Sequence, residues 1–392
     1  MTPTLSPGTV RLIMALFFLH PFALGSWLPQ IPFVQTKLDL TNAQLALSLL
    51  GLPMAFVFFS KFAAKIVAQH GAPRVLFAVF PIQAVTVVLP LFAVDHITLF
   101  LALLVFGATV TFLNVALNVY AGQFEKVAKK SVMNRCHGFW ALGMTAASFL
   151  ASMPTELLSP ALTMFVLAGS TTLIALWLAR PLPNLRPQSA DAPAKTKRRK
   201  LRDYPTTLFL IVLFVVSVTM SEGAMANWGA VYMAERLPEG SSTAGLAVTV
   251  FSAFVALGRF IGDFLKVRMG STNLARMNVG LAIVGLLILV APFPPLIAFV
   301  GFACIGLGLS VGFPLAVSAA AALEDEHDAD NIAFLSIMAV GTNVVAPPVI
   351  GLLADHFGIA MALAALLPGL CLSFVMARHL TPSTDLPKPA PA

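Results

Sequence analysis

Apolar runs of about the length of a bilayer crossing recur roughly twelve times between residues 10 and 379, each near the ~20 residues that a helix needs to span hydrocarbon. Inside a membrane every backbone polar group must find its partner within a helix or a closed barrel, so few architectures are open to such a chain. The ten-residue alternation of barrel strands is absent from the runs, and a helical bundle is expected. With 58% hydrophobic and 10% charged residues among 392, an ordinary soluble domain is excluded.

The spacing predicts helices at about 10–34, 41–69, 73–93, 97–123, 136–153 and 159–179, then at 205–235, 243–267, 272–293, 295–322, 331–354 and 358–379. A proline-rich linker, 180–204, carries Lys195, Lys197, Arg198, Arg199 and Lys200 and separates an N-terminal bundle (1–179) from a C-terminal one (205–380). A polar tail, 381–392, is expected to be disordered. The first run extends past Pro29 and Pro32, too long for a secretory signal core, and reads as a retained helix. Lys61, Lys65, Arg74, Lys126, Lys129, Lys130, Arg135, the linker with Arg180, Arg186 and its cluster, and Arg259, Lys266, Arg268 and Arg276 around the loop after helix 8 fall on one side, against Lys37 and Arg236 on the other. By the positive-inside rule both termini are cytoplasmic, which places the chain as a multi-pass protein of the inner membrane. Cys136, Cys304 and Cys371 are isolated, without pairing or metal-ligand spacing.

Shifting the second half back by about 200 residues superposes Trp27 on Trp228, brings Gly71 close to Gly270, matches Glu125 with Glu324 and sets Gly143 near Gly341. Two six-helix repeats follow. Under the tryptophan alignment His20 falls on Ser221, beside Glu222.

Four stretches stand out within this layout: Glu222-Gly-Ala-Met-Ala-Asn-Trp228, His137-Gly-Phe-Trp-Ala-Leu-Gly143, Gly258-Arg-Phe-Ile-Gly-Asp263 and Ala346-Pro-Pro-Val-Ile-Gly351. Together with the six-plus-six helices and the basic central loop, the chain resembles the major facilitator superfamily over essentially its whole length. It is similar to a bacterial branch that includes a rhizopine-associated membrane protein and lies near fucose-permease-like sugar transporters. The resemblance implies secondary transport by alternating access, with a solute site near the midplane where the repeats meet. The superfamily's loop motif after the second helix is depleted here: anchored on Gly71, its first glycine is Ala64 and its aspartate Ala68, and only Arg74 keeps its basic end. Arg259 and Asp263 are therefore the gate candidates of the second half. The arginine of helix 4 and the glycine-proline signature of helix 5, common in drug and proton antiporters of the superfamily, are missing, which disfavours an exporter.

Glu222 is the acid nearest the middle of an apolar run, and a charge at that depth costs roughly 2.5 to 3.5 kcal/mol on insertion scales. It is expected to carry protons or to contact the solute, the plainer reading being a fixed acid tying its helix to the bundle. His20, before a mid-helix proline, is the second coupling candidate or else a core histidine. Asn114 and Asn118, four residues apart, share a helix face and offer paired amides to hydroxyls, or serve as interhelical glue. Trp27, Trp140 and Trp228 can stack on a sugar ring or anchor helix ends at the membrane interface; His137 shares Trp140's face. Asn227 and Asn343 add amides, the latter in a helix expected to break at Pro347-Pro348. Glu125 and Arg135 frame the loop after helix 4 as a second gate candidate, or as solvated charges.

No Walker-type phosphate loop, nucleophile arrangement or metal cluster is present in the sequence, so neither cofactor nor enzyme activity is expected. The expected protein is a monomeric, proton-coupled secondary transporter of a small polar, hydroxylated solute such as a sugar or cyclitol. Its partners are the solute, protons and the lipid bilayer, with no nucleic acid. The rival readings are a proton-coupled exporter of apolar cations and a membrane sensor or scaffold that binds without transporting.

Overall fold

The computed structural model describes residues 7–128, 132–153, 159–185, 201–238, 241–323 and 327–381. Among these, helices carry the chain and no strand occurs. The first apolar run is segmented into α1 (Pro7–Leu19), α2 (Phe22–Trp27), a 3-10 turn (Leu28–Gln30) and α3 (Ile31–Lys37). Pro21, Pro29 and Pro32 lie at these breaks, where each withholds a backbone N–H from the helical ladder. The second run is α4 (Asn42–Leu49), opened by a reciprocal Thr41–Gln44 cap, and α5 (Gly51–His70). After α6 (Ala72–Thr86) come α7 (His96–Ala128), α8 (Met133–Ala151) and α9 (Pro160–Ala179).

The second half consists of α10 (Thr206–Ala234), α11 (Leu246–Val290), α12 (Pro295–Leu309), α13 (Gly312–Ala321), α14 (Asp328–Phe357), α15 (Ile359–Ala364) and α16 (Leu367–Met376). Ten helical segments among the described residues are long and apolar enough to cross a membrane. The eleventh crossing is α8, whose first two turns carry the polar Arg135 and His137. The twelfth arises because α11 breaks in the middle and crosses twice, as the sequence expectation of twelve requires.

That break is at Gly270 (φ 76°, ψ 162°), and its repeat partner Gly71 adopts the same state between α5 and α6 (φ 84°, ψ 146°). A side chain at either position would be strained, so glycine at equivalent sites turns the chain the same way in both halves. Gly358 repeats the turn between α14 and α15 (φ 79°, ψ 157°). One expectation is corrected here: α14 runs unbroken through Pro347 and Pro348. A proline's φ is helical, and the loss falls on its missing N–H, so the carbonyls of Asn343 and Val344, four residues earlier, lack helical donors while the rod continues.

The chain divides into two compact units, residues 1–192 with 227–253, and residues 193–226 with 254–392. In the first, Phe17, Phe80, Leu113, Leu117, Tyr120 and Phe124 lie in one core built from α1, α6 and α7 with α8 and α9. Gly143 of α8 sits directly on the Phe18 carbonyl and on Pro21, so the kinked first segment and α8 meet backbone to backbone. The same unit holds a hydroxyl seam: Thr145 donates to Ser252 (3.2 Å), Thr249 donates to Ser148 (3.1 Å), and Gln30 Nε2 donates to the Ala151 carbonyl (3.1 Å). In the second, glycines again set the spacing. Gly258 and Gly262 of α11 face Ser310 and Val311 at the α12–α13 break, and Gly312 faces Val218 of α10.

Candidate functional site

The middle of α10 projects three functional positions within two turns: Thr219, Glu222 and Gly223. Toward α11, Glu222 Oε1 accepts from Arg259 Nη2 at 3.0 Å, the two side chains being 29% and 20% exposed. Toward α14, Thr342 Oγ1 donates to Thr219 Oγ1 at 3.1 Å, and a Cβ at Gly223 would lie 2.9 Å from Asn343 Oδ1. The acid expected from the sequence is therefore half of an ion pair, with the Thr219–Thr342 hydroxyls one turn away and the Asn343 amide against the neighbouring Gly223. Glycines hold the frame on both sides, since Gly258 precedes Arg259 and lets α11 close onto Ser310. A charged pair at mid-helix is tolerated where the partners neutralise each other and an aqueous face remains.

Arg259, expected from the sequence as a gate candidate, has its guanidinium on Glu222. Depth arithmetic contains the missed signal. Glu222 lies 12 residues before the end of α10 and Arg259 lies 13 residues after the start of α11, about 18 and 20 Å from the hairpin that joins them. Asp263, one turn beyond Arg259, is exposed.

The first unit carries a separate polar set. Asn118 Nδ2 donates to Asn114 Oδ1 (3.0 Å) and to the Asn114 carbonyl (2.9 Å), so the two amides share a face and are bonded to each other. Gly122, one turn further along that face, has no atom within 4 Å of where a Cβ would stand. His137 is exposed and meets Phe17 edge-on at 5.8 Å, while Trp140 is half-buried against the core. His20 is 3% exposed, and its Nδ1 finds no hydrogen-bond partner among the described residues. Its backbone N–H donates to Leu16 O at 2.9 Å, so the kink at Pro21 leaves this residue in the helical ladder.

Trp27 and Trp228 are both fully buried, each with an unpartnered indole N–H. Neither stands at an exposed helix end as an interface anchor would. Asn227 lies one residue before Trp228 on α10, half-buried and bonded.

Glu125 Oε1 accepts from the backbone N–H groups of Val132 (2.5 Å) and Met133 (2.8 Å). It caps the start of α8, where a carboxylate meets the positive end of the helix dipole, and Arg135 is exposed. Its repeat partner Glu324 lies outside the described residues.

Comparison with known proteins agrees with this architecture. The chain is 28% identical over 345 residues to the uncharacterised transporter y4wD of Sinorhizobium fredii, covering 88% of this chain and 91% of that protein. It is 25% identical over 363 residues to membrane protein MosC of Rhizobium meliloti, covering 91% and 87%. Among solved structures, a point variant of the nucleoside transporter NupG superposes with a TM-score of 0.74 over 95% of this chain and 98% of that one, at 15% identity, a likeness of fold. Residues 13–329 match the Major Facilitator Superfamily, and this twelve-helix membrane protein belongs to that family of transporters.

Proposed function

We propose that this protein is a proton-coupled secondary transporter that moves a small hydroxylated solute across the inner membrane by alternating access, with both termini cytoplasmic. The observation that carries the reading is the Glu222–Arg259 pair at mid-helix, with the Asn343 amide against the adjoining Gly223. Glu222 is the proton-carrying group. Protonation dissolves its ion pair with Arg259, and deprotonation restores it, so the protonation state of one carboxyl changes how α10 is held to α11. Within the second unit the Asn343 amide and the Thr342 hydroxyl suit the hydroxyls of a sugar or cyclitol; within the first, the Asn114–Asn118 amides offer the same chemistry, with the exposed His137 and half-buried Trp140 on the helix that follows. Kinship of fold with a nucleoside transporter, whose cargo carries a ribose, is compatible with a hydroxylated solute.

An exporter of apolar cations is less well supported, because such a pocket needs an acid without a counter-ion and Glu222 has Arg259. Arg135, exposed near the start of α8, Asp263, exposed about two turns before the Gly270 break of α11, and the Glu125 cap are the proposed elements of cytoplasmic gating.

The test is solute flux in proteoliposomes with an imposed pH gradient. In Glu222→Gln the acceleration of uptake by the gradient is expected to disappear, with equilibrium exchange retained. An unchanged rate and pH dependence would sink the coupling role. Binding without flux in the unmodified protein would mark a sensor.

A further inference from the structure

The charge pair carries more information than coupling alone. Arg259 has five N–H donors, and the described hydrogen bond to Glu222 uses one nitrogen. A neutral polyol needs hydroxyl partners, which α14 supplies; it has no need of a guanidinium held at mid-membrane. When Glu222 is protonated, Arg259 becomes a cation among apolar helices. Among the described residues Glu222 is the carboxylate at ion-pair distance from Arg259, and the elements of its own unit packed here offer no second one. Asp263 is one turn further along α11 and exposed. On α14 the residues at the contact are Thr342 and Asn343, and its titratable groups, Asp328, Asp330, Asp355 and His356, lie at its two ends. The contact of α13 with α10 is through Gly312, and that of α16 through Gly369 and Ser373; neither helix carries a charged residue, and α10 itself carries none besides Glu222.

We infer that Arg259 is the receptor for an anionic group, a carboxylate, on the transported hydroxylated solute, and that Glu222 occupies its place in the empty protein. This rests on the reading of a hydroxylated solute and narrows it to a sugar acid or similar polyol carboxylate. The guanidinium fork matches a carboxylate in two parallel hydrogen bonds, a geometry a lysine would not offer. Solute carboxylate and Glu222 compete for one cation, so the solute binds as Glu222 takes up a proton from water. Solute anion and proton then load together, with no net charge added to the site. The neutral pair in the empty protein and the neutral loaded complex are the two states that avoid an unpaired charge at this depth.

The experiment uses the purified full-length protein, with gluconate and glucuronate as probes and sorbitol and glucose as their uncharged counterparts. Binding is read by thermal shift at pH 5.5 and 7.5, together with proton uptake in weakly buffered solution. The acids are expected to bind at least tenfold more tightly at pH 5.5, with about one proton taken up per protein. Glu222→Gln, which mimics the protonated acid, is expected to bind them equally at both pH values without proton uptake. Because Arg259→Gln alone strands Glu222, the decisive variant is Glu222→Gln/Arg259→Gln, which removes both charges. It is expected to lose the response to the acids and keep that to the polyols. A double variant that still binds gluconate overturns the assignment of Arg259. Binding of the polyols alone, indifferent to Arg259, overturns the acidic solute and leaves the hydroxylated-solute reading standing. Silence toward all four probes overturns both.

Discussion

The ion pair sets a clear energetic hierarchy among substitutions. Removing one partner of a charge pair in a desolvated setting costs more than removing both, because the survivor is left uncompensated. Arg259→Gln is therefore expected to lower thermal stability by roughly 2 kcal/mol, discounted from a fully buried pair because both side chains retain some exposure. Glu222→Gln/Arg259→Gln should recover most of that loss. Unfolding of the three proteins in one detergent checks the order, and a double variant less stable than Arg259→Gln would contradict it. The sequence made Glu222 conspicuous as an acid in an apolar run, and it made Arg259 visible as a base in another. It did not join them, since contact across 37 positions depends on how two helices are rotated about their axes.

At the scale of the helix, the glycines separate contact from open space. Gly143 lies on the Phe18 carbonyl, so Gly143→Ala is expected to force α8 off α1 and destabilise the fold by about 1–3 kcal/mol. Gly122 meets nothing, so Gly122→Ala is expected to be neutral or to stabilise α7 by up to ~1 kcal/mol through helix propensity. Thermal unfolding should shift to lower temperature in Gly143→Ala and hold or rise in Gly122→Ala. The loop before α7 adds a pH dependence outside the membrane. Thr98 donates its backbone N–H to Asp95 Oδ1 (2.7 Å) and its hydroxyl to the same oxygen (2.8 Å), and these bonds hold the carboxyl below its ordinary range. A depressed folded value means that the cap contributes above the unfolded pKa of about 3.9 and is lost as pH falls through the folded one. Asp95→Asn is accordingly expected to flatten the stability curve below about pH 4, read by acid titration of unfolding; an unchanged acid slope would contradict it. The turn glycines were legible in part: Gly71 and Gly270 were matched by their spacing, whereas Gly358 has the same backbone state without a mark in the repeat pattern that singles it out.

At the scale of the molecule, the hydroxyl seam ties the first repeat to the opening turns of α11 within one compact unit. Thr145 and Ser252 have their side-chain oxygens 3.2 Å apart, and Thr249 and Ser148 theirs at 3.1 Å. If alternating access requires this seam to part, Thr145→Cys with Ser252→Cys is expected to cross-link on oxidation and arrest flux, with recovery on reduction. Full transport by the cross-linked protein would show that the seam stays closed throughout the cycle. The buried indole N–H groups of Trp27 and Trp228 belong to the same unit, at positions paired by the repeat.

What the sequence determined by itself is the class of fold: length and polarity of the runs dictate membrane helices, since hydrocarbon leaves the backbone no other way to satisfy its N–H and C=O groups. It also determined the repeat and the face shared by Asn114 and Asn118, because a period of 3.6 residues is local. Tertiary structure decided the partners. The counter-ion of Glu222, the burial of Trp27 and Trp228, and the use of Glu125 as a helix cap depend on which faces of distant helices meet. That choice is made by close packing of glycines and hydroxyls over the whole bundle, where no single stretch of sequence holds the information.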